Sequence, residues 1–166
     1  AERGTATHLV MQYLPFDTPA RADGVEEFVR GLVERRLLTP EQGASVDTLQ
    51  IAKFLASDLC AQMRSAEQVW REFRFALLVP AEVYDPRVRG EEMMLQGVAD
   101  VCFRTEEGIA VVDFKTDYLH PGEEKARAER YRAQLEAYSL ALSRVLEAPV
   151  CRRVLYFFST GAEGEI

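Results

Sequence analysis

The sequence predicts an α/β protein, a central mixed β-sheet flanked by helices with an extra helical part at its N-terminus. Three features carry that expectation. Apolar residues recur every three or four positions through the first third of the chain, then switch at Val69 to the alternation of strands. Three strand patterns follow one another closely enough to form a meander. A long helical pattern then separates them from one more strand, and a connection of that length suits a parallel crossover rather than a hairpin. With 166 residues, 48% of them hydrophobic, the chain can bury one substantial core, so a single domain over 1–166 is expected.

The helical part, residues 1–66, opens with an apolar-rich stretch at about 5–14, followed by a proline-containing loop at 15–19. A second helix is expected over 24–38, where Val25, Phe28, Val29, Leu32, Val33 and Leu37 share one face. Thr39, Pro40 and Glu41 read as an N-cap, a proline at the first helical position and an early acid. Asp47 opens a further pattern through Leu49, Ile51, Leu55, Leu59 and Met63, which predicts one helix of about four turns. The core, residues 67–160, begins with a strand up to Pro80 in which Phe73, Phe75, Leu77 and Val79 alternate. Strands at 95–104 and 109–115 flank Thr105-Glu106-Glu107-Gly108 as a hairpin. One helix is expected over 123–147, with Tyr131, Leu135, Tyr138, Leu142 and Leu146 on its apolar stripe. Pro149 ends it, and a strand at 153–160 closes the fold. Residues 161–166 carry no pattern of a further element. Both ends read as cuts from a longer polypeptide, since the chain begins without Met and trails off after Gly161.

Composition excludes some functions. Twenty Lys and Arg against 27 Asp and Glu leave a net charge of −7, which argues against a surface that binds a polyanion unaided. A divalent-metal enzyme escapes that argument, because its site collects carboxylates and the metal supplies the positive charge. Cys60, Cys102 and Cys151 are too scattered for a disulfide framework or a paired metal motif, and they suit the reducing cytoplasm. No apolar run approaches the roughly 20 residues that span a bilayer, so no membrane partner is expected.

The hairpin concentrates the chemistry. A two-residue turn at Glu106-Glu107 sets Arg104 opposite Ile109 and hence Asp100 opposite Asp113, although a bulge at Gly108 would slide the register by one. Lys115, two residues after Asp113, projects from the same face, while Phe114 turns to the other side and leaves its carbonyl beside the acids. Opposed carboxylates repel unless a cation or proton lies between them. Oxygen ligands of this kind suit Mg²⁺ or Mn²⁺. A salt bridge between Asp113 and Lys115 at a strand end explains the same residues without catalysis. By residue type alone, His8 in an apolar helix reads as a core histidine, and His120 before Pro121 as an exposed loop residue.

Ordered motifs weigh against the structural explanation. Gly97-Val98-Ala99-Asp100, then Val112-Asp113-Phe114-Lys115-Thr116-Asp117, then Gln134-Leu135-Glu136-Ala137-Tyr138 resemble the PD-(D/E)XK nuclease pattern in its RecB-like branch. Gly4-Thr5-Ala6-Thr7-His8 matches that branch's glycine-to-histidine motif. Arg71 to Phe75 and Leu155-Tyr156-Phe157 are similar to the nuclease domain of AddA-type helicase-nuclease subunits. The resemblance implies a restriction-endonuclease-like core and a metal held by His8, Asp100, Asp113 and the Phe114 carbonyl. It makes Asp100, Asp113 and Lys115 the catalytic set, with Lys115 positioning the attacking water. Gln134 and Tyr138 would touch the DNA backbone or brace the site, while Asp117 and Glu72 would fix loop and strand. It further implies an Mg²⁺- or Mn²⁺-dependent DNA exonuclease domain of an ATP-dependent helicase-nuclease used in double-strand break repair and recombination. The implied partners are DNA strands delivered by a motor, the rest of the same helicase chain, and an AddB-like subunit. No phosphate-binding Gly-Lys-Ser/Thr loop occurs in the chain, and three scattered cysteines cannot supply the four-cysteine iron-sulfur cluster of some relatives. A stand-alone RecB-like nuclease and a catalytically silent interaction domain of the same fold are the competing readings.

Overall fold

The change of period at Val69 marks the passage from helices to sheet. A computed structural model describes residues 2–166; Ala1, included in the expected domain, lies outside the described residues. The first part is α1 (Glu2–Tyr13), α2 (Ala22–Glu34), α3 (Pro40–Ser45), α4 (Thr48–Leu55) and α5 (Asp58–Ser65). Thr39 caps α3 in a reciprocal box. Its hydroxyl accepts from the Gln42 N–H, and the Gln42 side chain accepts from the Thr39 N–H. The single four-turn helix expected from Asp47 is instead two. Ile51, Leu55, Leu59 and Met63 keep one spacing across the break, so the period could not reveal it. The Ser57 hydroxyl accepts from the Cys60 N–H and starts α5 as a new helix.

The second part is β1 (Val69–Pro80), β2 (Glu92–Thr105), β3 (Gly108–Lys115), α6 (Glu124–Glu129), α7 (Arg132–Val145), β4 (Val150–Phe157) and β5 (Ala162–Glu165). The strands form one mixed sheet in the order β1-β2-β3-β4-β5. β1, β2 and β3 pair antiparallel, and β4 lies parallel to β3 after the helical crossover. Two expectations need correction. The helix predicted over 123–147 is broken between α6 and α7, with Tyr131 at the junction. Residues 161–166 are not without a closing element, because 162–165 pair antiparallel with β4 as β5. That short strand, Ala-Glu-Gly-Glu, is held through its backbone and by Arg152, whose guanidinium lies 3.0 Å from both Glu163 and Glu165, and so shows no apolar alternation.

The central part of the sheet is buried on both faces. Val101, Phe103, Val112, Phe114 and Tyr156 pack with the N-terminal helices. Cys102, Val111, Leu155 and Phe157 pack with Leu135 and Leu142 of α7 on the other side. β3, covered on both faces, reads as the near-continuous apolar run of a central strand, and Asp113 interrupts it while only 5% exposed. Helix α1 is tied to the sheet by Arg71, whose guanidinium donates to the Met11 and Leu14 carbonyls at the end of that helix and lies 3.6 Å above the Phe16 ring.

The hairpin closes with Thr105 opposite Gly108, Arg104 opposite Ile109 and Val101 opposite Val112. No bulge slides the register. Gly108 makes this turn possible: its φ is 146°, and a Cβ there would collide with the Pro149 carbonyl oxygen. Gly108→Ala is therefore expected to cost about 2 kcal/mol or more, a fall in melting temperature of about 4 to 8 °C for a chain of this size. Thermal denaturation checks this, and a shift within about 1 °C would show that the turn does not need glycine.

Candidate functional site

Asp100 and Asp113 leave the hairpin one step beyond the last ladder pair, Val101 and Val112. There the ladder gives way to a side-chain bond, and the Phe114 N–H donates to Asp100 Oδ2 at 2.7 Å. On the other side of β2, Arg71 pairs with Val101 and Phe73 with Ala99, while Glu72 and Asp100 between them are skipped. Glu72 has φ 49°, a strained value for a residue with a side chain. The break reverses the alternation of β1, so that Trp70 and Phe73 both face the α7 side. A local kink thus frees Glu72 and Asp100 from regular pairing, while Asp113 stays paired with Leu155 of β4.

His8 reaches the same place from α1. Its Nδ1 lies 2.9 Å from the Gly4 carbonyl, and its Nε2 lies 2.9 Å from the Phe114 carbonyl and 3.3 Å from Asp100 Oδ2. A carbonyl oxygen only accepts, so both ring nitrogens carry a proton in this arrangement. The hydrogen bond to Asp100 is the main reason the imidazole pKa is pushed up to about 9, against an opposing effect of burial. The glycine of the motif has its own role. A Cβ on Gly4 would stand 2.9 Å from Thr116 Oγ1, so the bare residue lets α1 approach the end of β3 closely enough for His8 to reach.

Asp113 is held from two sides. Lys115 Nζ lies 2.6 Å from Oδ2 in an ion pair, and that oxygen has no other partner. Gln134 Nε2 lies 3.4 Å from Oδ1 and donates to the Tyr138 hydroxyl at 3.0 Å. Burial first, then the neighbouring Asp100 charge, push the Asp113 carboxyl above the usual range, while Lys115 pulls it back. Lys115 is itself fixed by a neighbour the sequence did not single out for this role. Its Nζ stands 3.7 Å over the Tyr131 ring, whose hydroxyl donates to Asp117 at 2.9 Å. Arg127 completes the bracket at 3.2 Å from Asp117.

The structure thus gathers His8, Asp100, Asp113, the Phe114 carbonyl, Lys115 and Gln134, with Tyr138 behind Gln134 and its ring edge-on to Phe75 at 5.3 Å. His120 stands apart on the loop after β3. Glu72, expected to fix strand position, also lines a cleft of about 480 Å³ with Gly4, His8, Gln12, Val98 and Asp100. Burial, then Asp100, raise its pKa. In the sequence Tyr131 looks like one more member of an apolar stripe. The signal that could have found it is its place three residues before Gln134, which puts both on one helical face.

Among the described residues, no three His, Cys, Asp or Glu side chains stand as a ready metal-binding group. The candidate ligands are tied to one another and to Lys115 instead. Their chemistry nonetheless fits a hard divalent cation: carboxylate oxygens, a carbonyl oxygen, and an imidazole whose Nδ1 proton is held by a backbone carbonyl so that Nε2 faces the site. The underbonded, buried Asp113 Oδ2 is the observation that tests this fit most directly.

The raised His8 pKa has a consequence for the metal-free protein. A histidine that titrates near 9 when folded and near 6.5 when unfolded contributes stability that is fully present below about 6.5 and is lost as pH rises through 9. With chelator present, the stability advantage of the parent over His8→Gln is expected to shrink between about pH 6.5 and 9.5, as measured by urea denaturation. A difference constant across that range would contradict the charged pair with Asp100.

The profile of the PD-(D/E)XK nuclease superfamily matches residues 1–165. The ATP-dependent helicase/nuclease A-subunit of Desulforamulus reducens is 37% identical over 164 residues, covering 97% of this chain and 13% of its own. The protein of that name from Clostridium perfringens strain 13 is 36% identical over 167 residues, covering 95% and 13%. The one from Acetivibrio thermocellus is 38% identical over 166 residues, covering 97% and 13%. The chain therefore spans about one-eighth of the length of these relatives. The solved structure of SSO0001 overlaps 97% of this chain and 64% of its own at a TM-score of 0.44 and 16% identity, too distant to bear on the site. With its profile matched from end to end and a mixed sheet carrying the acid-x-lysine strand, the chain belongs to the PD-(D/E)XK nuclease superfamily.

Proposed function

We propose that this chain is a divalent-metal-dependent DNA nuclease domain, with Mg²⁺ or Mn²⁺ held by His8, Asp100, Asp113 and the Phe114 carbonyl. The observation that carries the reading is the buried Asp113 carboxylate, short of hydrogen bonds, beside Asp100 and a fixed lysine. The cation, when bound, supplies Lewis-acid charge for phosphodiester hydrolysis. The protein's own groups do the rest. His8, held by the Gly4 carbonyl, and Asp113, held by Gln134, keep the ligand positions fixed before substrate arrives. Lys115, bracketed by Asp113 and the Tyr131 face, keeps a charged donor in place to orient water against phosphorus as the bond to a deoxyribose oxygen breaks. Gln134 and Tyr138 brace Asp113 in this arrangement.

The wider role rests on the relatives' names and on coverage. We infer that the chain is a single nuclease domain of a longer ATP-dependent DNA helicase-nuclease, working in the cytoplasm with an AddB-like subunit in double-strand break repair and recombination. No helix among the described residues is long and apolar enough to cross a membrane.

The experiment that tests the site uses Asp113→Ala and Lys115→Ala as a pair. Titration calorimetry with Mn²⁺, digestion of single-stranded DNA with Mg²⁺ or EDTA, and a melting curve are run on both variants and the parent. Asp113→Ala is expected to lose both metal binding and cleavage, since few protein ligands leave little redundancy. Lys115→Ala is expected to keep metal affinity while losing cleavage about 100-fold or more. Cleavage retained by a folded Lys115→Ala protein would remove the mechanism. Activity that merely follows the folded fraction in both variants would make the pair a structural salt bridge.

A further inference from the structure

The loop that leaves β3 runs from Thr116 to Glu123 directly after Lys115. It is pinned at several points. Asp117 accepts from the Tyr131 hydroxyl and from Arg127. Leu119 is 3% exposed, and its N–H donates to Ser159 Oγ at 3.1 Å. The His120 N–H donates to Glu123 Oε2, and the His120 carbonyl accepts from the Glu123 N–H. Between these anchors Tyr118 is 77% exposed, the barest large apolar side chain among the described residues. Its ring meets that of His120 edge-on, 5.3 Å between centroids at 87°. The fold uses its anchors to hold a ring in water.

We propose that Tyr118, steadied by His120, is a stacking platform for a nucleobase of the DNA strand whose backbone enters the site. The proposal rests on the nuclease reading above and adds a binding position to it. Tyr118 follows Lys115 by three positions, so their Cα atoms lie within about 11 Å. That is roughly three stacked nucleotides at about 3.4 Å each. A net charge of −7 leaves little general attraction for phosphates, so a contact that is not Coulombic adds grip on the strand beyond what the cation supplies. Base–aromatic stacking is such a contact, and it accepts any base because each has a π-face. A T-shaped contact covers at most one face of the Tyr118 ring, and at 77% exposure the other is open for it.

The test measures single-strand binding without cleavage. The full chain is titrated, in chelator and at low salt, against oligodeoxynucleotides carrying one 2-aminopurine at successive positions, and then against the same series with one abasic position. Tyr118→Ala is expected to weaken binding about tenfold and abolish 2-aminopurine quenching at one position, whereas Tyr118→Trp restores both. On the oligonucleotide abasic at that position, parent and Tyr118→Ala are expected to bind alike. In digestion with Mg²⁺, the loss should fall on KM rather than kcat. Leu49→Ala, which removes a bare apolar side chain from α4, is the control and should change neither. Undiminished binding by Tyr118→Ala, or an equal loss on every abasic strand, would overturn the platform and leave Tyr118 to a protein contact. Quenching as expected with no cleavage by the parent would overturn the nuclease reading alone. A parent that binds no single strand in chelator would overturn the platform and leave the nuclease reading to its own cleavage test.

Discussion

Two carboxylates brought to one end of a buried hairpin repel each other, and the architecture around Asp100 and Asp113 answers that repulsion. Unit charges a few ångströms apart at an effective dielectric near 20 cost of order several kcal/mol, comparable with the whole stability of a small domain. His8 and Lys115 supply the opposing charge, 3.3 Å from Asp100 and 2.6 Å from Asp113. Delivering His8 requires α1 to lie hard against the end of β3, which Gly4 permits and Arg71 secures. Delivering Lys115 requires only the alternation of the strand, and keeping it there uses Tyr131.

The break between α6 and α7 belongs to the site for the same reason. Tyr131 caps the junction with its ring against the lysine and its hydroxyl on Asp117, while Gln134 and Tyr138 follow on the same face of α7. One short stretch of helix therefore supports both the lysine and the carboxylate it faces. The positive φ of Glu72 plays the matching part on the other side, interrupting the β1–β2 ladder at Asp100. Strain of that kind persists only where surrounding structure enforces it, and here it lies beside the acids.

Much of this was legible in the sequence because hairpin geometry is arithmetic. The two-residue turn between Thr105 and Gly108 fixes every pair back to Val101 and Val112, so counting brings Asp100 and Asp113 to the step just beyond the ladder, where the charge of one acts on the other. His8 was legible only through its motif, since a histidine in an apolar helix ordinarily belongs to the core. Other features left no periodic trace. Ser57 divides α4 from α5 without disturbing the apolar spacing, Tyr131 divides α6 from α7 in the same way, and β5 is held by backbone pairing and by the ion pairs of Arg152 with Glu163 and Glu165, neither of which an apolar pattern records. The contact between Lys115 and Tyr131 joins residues from a strand and a helix cap, and the spacing along one chain does not encode it.

Whether the cluster now closed on itself seats a divalent cation is tested most directly by crystals of the chain grown with Mn²⁺ and measured for anomalous scattering. One strong peak is expected, with His8 Nε2, the Phe114 carbonyl oxygen and carboxylate oxygens of Asp100 and Asp113 within about 2.0 to 2.6 Å of it. Saturating Mn²⁺ with no peak there, and Asp113 still resting on Lys115, would contradict the assignment.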